Sequence, residues 1–184
     1  MAALALVLAA FSDLTAVAHR LTAAPDMAIA ALGSASTTVL AAFAAFQLSV
    51  PGHSRAWALL PLPAALVWVA ASGAGCLRSW LIPDVHLATM NEQKDCLLFI
   101  IGLSVPLSVL LIVMLRRAFP LDPGLIAALA GLAAAAAAAS LLLLFHAFDA
   151  SATDLAVHAL AVGLVVGANR VLGGRLLAIV NRPP

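Results

Sequence analysis

Charge is what this sequence has least of. Only 9% of its 184 residues are Asp, Glu, Lys or Arg, against 65% hydrophobic residues and a mean hydropathy of +1.14. A soluble domain carries about a quarter charged residues, so water is excluded as the main solvent of this chain. The few Lys and Arg leave a net charge of +1 and are scattered through the connections between apolar stretches. Neutralising a nucleic-acid backbone takes a concentrated basic face, so no direct nucleic-acid partner is expected. Cysteine is nearly absent: Cys76 and Cys96 are too few for a disulfide scaffold and lack the spacing of a zinc ribbon or a thioredoxin-type motif. There is no paired carboxylate within a helix, no Gly-x-Ser-x-Gly, no His-Glu-x-x-His and no phosphate loop. Neither enzymatic activity nor a cofactor is therefore expected. No ionisable side chain falls in the middle third of a confident apolar stretch, where transporters and proton relays place one, and transport is disfavoured for that reason.

What is abundant is long apolar sequence. Crossing a hydrocarbon core of about 30 Å takes roughly 20 apolar residues, and residues 27–50, 56–77, 96–115 and 124–145 each meet that length without a charge inside. Backbone groups in lipid must bond within the segment, so these stretches are helices. The uncharged stretch 155–169 is short, but the Arg170 guanidinium can snorkel to the headgroups while the helix continues, which predicts a fifth span over 154–174. Asp13 interrupts the N-terminal stretch, read as a partial helix over 1–20. Its first eleven residues have no basic flank and no small-residue cleavage site, so they are read as helix and not as a leader. The expectation is an all-α fold, a single polytopic transmembrane bundle over 1–184 with five to six helices and short loops.

Orientation follows from Lys and Arg in the short loops. Arg55, Arg116, Arg117, Arg170, Arg175 and Arg182 fall on one side, against Arg20, Arg78 and Lys94 on the other. The first side is read as cytoplasmic, with the C-terminus inside. Acidic residues agree: Asp122 alone lies inside, while Asp13, Asp26, Asp84, Glu92, Asp95, Asp149 and Asp154 lie outside.

This topology brings Cys76 and Cys96 to the same outer level, joined by one loop. If their helices are neighbours, a disulfide is geometrically open to them in an oxidising exterior; the other reading is two small apolar side chains packed among helices. His86, His146 and His158 share that layer, so an exterior metal or redox sensor is one reading, since imidazole and thiolate bind zinc or copper and His titrates near neutral pH. The blander reading is interfacial His bonded to water and headgroups. Asp84, His86 and Glu92 are best read as a solvated loop. Gly33, Ser34, Ser36, Gly124, Gly131, Ala135, Gly163 and Gly167 allow close helix approach. Gly163 and Gly167 form a Gly-x-x-x-Gly pair, facing either the bundle interior or a partner subunit.

From Cys96 onward the chain carries Cys96-Leu-Leu-Phe-Ile with Ser104 and Pro106, then Leu115-Arg-Arg-Ala-Phe-Pro-Leu-Asp-Pro, Gly131-Leu-Ala and Gly173-Gly-Arg-Leu-Leu. In this order of landmarks it resembles the NrsF-type family of bacterial membrane anti-sigma factors; Val50-Pro-Gly and the helix around Trp68 fit more loosely. The resemblance implies a six-helix inner-membrane protein that sequesters an extracytoplasmic-function (ECF) sigma factor until an external metal or oxidant stress, sensed by cysteines, releases it. Cys96 stands at the family's first motif cysteine. The second, after the alanine-rich helix, is replaced near Phe145-His146, which leaves Cys76 as the other thiol. Family members carry a partly basic segment before the first helix, whereas this chain is read as starting inside or at that helix. Sigma contact is then expected on inner loops such as Arg116-Arg117, or not at all. Set against this reading are a non-catalytic accessory subunit of a larger membrane complex, bound through small-residue helix faces, and a small metal-handling protein.

Overall fold

The computed structural model of the protein describes residues 14–81, 89–116, 122–143 and 152–180, and every regular element among them is helical. The order is α1 (Leu14–Ala23), α2 (Pro25–Leu48), a 3-10 turn (Arg55–Leu59), α3 (Leu62–Leu81), α4 (Met90–Leu115), α5 (Pro123–Leu142), α6 (Ala152–Ala168), a π-helical turn (Asn169–Gly173) and α7 (Gly174–Val180). Five segments are long and apolar enough to cross a membrane: Pro25–Leu48, Arg55–Arg78, Gln93–Leu115, Pro123–Leu142 and Leu155–Ile179. Of the partial helix expected over 1–20, residues 1–13 lie outside the described residues.

Local chemistry sets the ends of these helices. Pro25 and Pro123 open α2 and α5 at positions where a missing N–H costs nothing, and Asp26 in the first turn of α2 faces the positive end of the helix dipole. Asp122 caps α5, its Oδ1 accepting from the Leu125 N–H at 3.1 Å. After α2 the chain reverses through Gly52, whose φ of +88° is open to glycine at little cost. The Ser54 hydroxyl then accepts from the Ala56 N–H to start the 3-10 turn. Trp57 on that turn meets Phe43 edge to face, ring centroids 5.7 Å apart, which ties the turn to α2.

Two boundaries differ from those read in the sequence. α4 begins at Met90, not at 96, and takes in Glu92, Lys94 and Asp95; apolar sequence marks where lipid begins, whereas helical hydrogen bonding continues into a charged turn beyond it. The last helix runs to Val180 and passes through a π turn at Asn169–Gly173 instead of closing near 174. That wider turn holds Asn169 and Gly173 towards α5 and leaves Arg170 exposed.

α5 occupies the centre. α2, α4, α6, the π turn and α7 all pack against it. Ala127, Ala130 and Ala133 to Ala138 are buried. Alanine permits this because a methyl side chain keeps the neighbouring backbones close, the basis of helix association where lipid removes a hydrophobic drive. α3 sits further out, packed on α2 and touching α6, and among the described residues shares no extensive interface with α4. Gly33 is what lets α3 approach α2: a Cβ there would stand 2.9 Å from the Trp68 Cα.

Candidate functional site

Polar side chains collect at three levels of the bundle. At one end, the Asp26 carboxylate on α2 pairs with the Arg78 guanidinium near the end of α3 at 3.3 Å, the two side chains 16% and 31% exposed. The Gln93 amide of α4 donates to the Thr153 hydroxyl of α6 at 2.9 Å. Between α2, α3, α5 and α6 lies a cleft of about 590 Å³, with Asp26, Arg78 and His158 on its walls and Ser34 deeper in. The Ser34 hydroxyl is 2.9 Å from that of Ser140, linking α2 to the central helix.

Cys76 and Cys96 lie near this end with no disulfide between them, the first partly exposed on α3 and the second buried on α4 among Ile100, Ala138, Leu142 and Ala161. Sequence proximity through one loop suggests a bridge only for neighbouring helices. That condition is not met, since α5 and α6 take the space beside α4 while α3 stacks on α2. Among the described residues no three of His, Cys, Asp and Glu gather as a metal site. His158 faces the cleft; His86 and His146, the other members of the expected layer, lie outside the described residues, as do Asp84 and Arg117.

At mid-depth, Asn169 in the π turn donates from Nδ2 to Ser108 Oγ on α4 at 3.0 Å and to the Val165 carbonyl at 2.9 Å. Its side chain lies on Gly131, where a Cβ would come within 2.8 Å of the Asn169 Cβ. α4, α5 and the last helix therefore meet at one polar point. The sequence reading passed over Asn169 because it is uncharged; its amide inside a span of membrane length was the available signal. Gly173 and Gly174 continue the contact, the latter against the Gly124 backbone, so the first turn of α5 and the last helix are tightly seated.

At the opposite end, Arg55 and Asp122 approach to 3.8 Å, with side chains 82% and 42% exposed. Exposed Arg116 ends α4, and exposed Arg170 and Arg175 lie beside the start of α5. A groove of about 540 Å³ runs between α4 and the last helix up to Arg116. Gly163 and Gly167, offered by the sequence as a packing pair, are exposed, and an added Cβ at either would have nothing within 4 Å. They do not mediate packing within the described bundle.

Membrane-length helices around an alanine core, with charge kept to the two ends, define a polytopic α-helical bundle. The chain belongs to the NrsF family, described as negative regulator of sigma F, whose sequence model matches residues 1–178. The match takes in the stretch before Cys96 as well as the landmarks after it. No curated protein and no solved structure matches the chain. Negative regulation of a sigma factor is thus the function that the family carries, and a sigma factor the partner that it implies.

Proposed function

We propose that this protein is an inner-membrane anti-sigma factor that holds an ECF sigma factor at its arginine-bearing end and acts by binding, without catalysis. The observation that supports this reading is the division of charge. Arg55, Arg116, Arg170 and Arg175 share one end with the single acid Asp122, while Asp26, Arg78, Lys94 and Asp95 stand at the other. Under the positive-inside rule the first end is cytoplasmic, where a sigma factor resides. The opposite end then faces the exterior, with Cys76, Cys96 and His158 near it, and a metal or oxidant changing that layer would shift the helices and alter the inner surface. Such a signal needs a bundle with two packings. Arg116 and Arg117 are the partner-binding residues of this reading.

The deciding experiment is retention of the cognate sigma factor on membranes containing the full chain, together with repression of its regulon. Loss of both in the double variant Arg116→Glu, Arg175→Glu, with the protein still inserted, is the expected result. A wild-type chain that neither retains nor represses the factor would sink the proposal. A second reading, an accessory subunit of a larger membrane complex, is favoured by one observation: the exposed Gly163 and Gly167 leave a smooth outward strip. Co-purification with a large assembly that survives simultaneous Cys76→Ser and Cys96→Ser substitution, without any sigma factor bound, would select it.

A further inference from the structure

The cleft between α2, α3, α5 and α6 has the build of a ligand site. Its volume of about 590 Å³ lies within the range of small-molecule pockets, which are largely apolar with a few placed polar groups. Asp26, Arg78 and His158 bring charge and hydrogen-bonding capacity to its walls near one end of the bundle, and the rest of the lining is almost wholly apolar. Val69 on α3 and Ala159 and Gly163 on α6 are exposed lining residues, so the cleft opens sideways between these two helices. Asp26 and Ser34 are eight residues apart on one helix, roughly 12 Å along its axis. One leaflet of hydrocarbon is roughly 15 Å deep.

We propose that this cleft holds a phospholipid of the outer leaflet with a zwitterionic phosphoethanolamine head. The phosphate takes the Arg78 guanidinium and the ammonium takes the Asp26 carboxylate, while an acyl chain lies along Ala30, Val69 and Val162. The charge pattern selects the head. A carboxylate and a guanidinium side by side match a headgroup carrying both signs, whereas an anionic phosphoglycerol head satisfies Arg78 and is repelled by Asp26. The proposal rests on the membrane orientation given above, with the Asp26 end at the outer surface.

The full chain, extracted in mild detergent, is offered equal amounts of phosphatidylethanolamine and phosphatidylglycerol, and retained lipid is counted by native mass spectrometry. One phosphatidylethanolamine is expected to survive, preferred by about tenfold, the factor that one net charge-assisted hydrogen bond provides. Asp26→Asn should abolish the preference. Gly163→Phe should abolish retention while leaving thermal unfolding unchanged, because open space surrounds Gly163; should that variant unfold, Ala159→Phe on the same wall replaces it. Equal retention of the two lipids, a preference for phosphatidylglycerol, or retention unaltered by the cleft-filling variant would each overturn the site. Fractionation separates this failure from that of the parent reading: a chain absent from membranes defeats the orientation itself, whereas an inserted chain without the lipid preference defeats only the site.

Discussion

Asn169 on the last helix reaches Ser108 on α4 across 3.0 Å while its side chain rests on Gly131 of α5. Three helices are thereby joined at one amide. Hydrogen bonds between membrane helices are worth about 0.6 kcal/mol on average and up to about 1.7, so Asn169→Ala and Ser108→Ala are each expected to lower stability by about 1 kcal/mol. The double variant should lose less than the sum. Unfolding by denaturing detergent, run as a double-mutant cycle, measures the coupling, and strict additivity would mean that the bond contributes nothing.

Gly33 and Gly73 make a controlled pair. A methyl on Gly33 meets the Trp68 Cα at 2.9 Å, backbone that cannot step aside, whereas Gly73 has nothing within 4 Å. Gly33→Ala is expected to cost about 1–3 kcal/mol through overpacking. Gly73→Ala should be neutral or slightly stabilising, because alanine favours helix. Thermal unfolding of the two variants in one detergent compares them directly.

The two ion pairs should behave differently. Asp26→Asn leaves the half-buried Arg78 guanidinium without its carboxylate and is expected to destabilise by about 1–3 kcal/mol. At the other end Arg55→Ala removes a pair that is long and largely exposed, a change worth about 0–1 kcal/mol. Asp122→Ala should cost about 1 kcal/mol through the lost cap on α5. A larger effect for Arg55→Ala than for Asp122→Ala would contradict this division.

Ser104 is completely buried on α4, and its hydroxyl has no hydrogen-bond partner among the described residues. An unsatisfied buried hydroxyl costs about 1–3 kcal/mol, so Ser104→Ala should raise stability. A melting temperature that falls instead would point to a partner formed only in another packing of the bundle.

The thiols differ in burial, Cys96 being buried and Cys76 partly exposed. In the folded protein a maleimide should label Cys76 first, and denaturation should bring the two rates together. Mild oxidation should not join Cys76 to Cys96 within one chain, because the helices bearing them are not packed on each other.

The helices themselves were legible because lipid permits few solutions: stretches such as 27–50 and 124–145 had to satisfy their backbone internally. The alanine run marked a smooth face fit for close helix approach, but its central place came only with the packing of α2, α4, α6 and α7 around it. Less legible was which helices touch. Cys76 and Cys96 are separated by a single loop, yet adjacency along the chain did not become adjacency in space once α5 took the middle. The Asn169–Ser108 pair depends on how α4 and the last helix are rotated about their axes, which no uncharged stretch encodes, and the π turn changes that rotation locally. Arg170 reads in the sequence as snorkelling from a span that closes near 174, whereas the helix proceeds to Val180, because hydrogen bonding carries on past that point.

Alanine methyls make α5 nearly a plain cylinder, so its own shape does little to fix its axial position between its neighbours. That setting falls to a few stops along its length: the hydroxyl of Ser140 against Ser34, the notch at Gly131 that receives Asn169, and the Gly124 backbone against Gly174. Ser140 and Asp122 stand roughly 27 Å apart along this one rod, so a single smooth helix spans the distance between the layer that bears the thiols and the layer that bears the arginines.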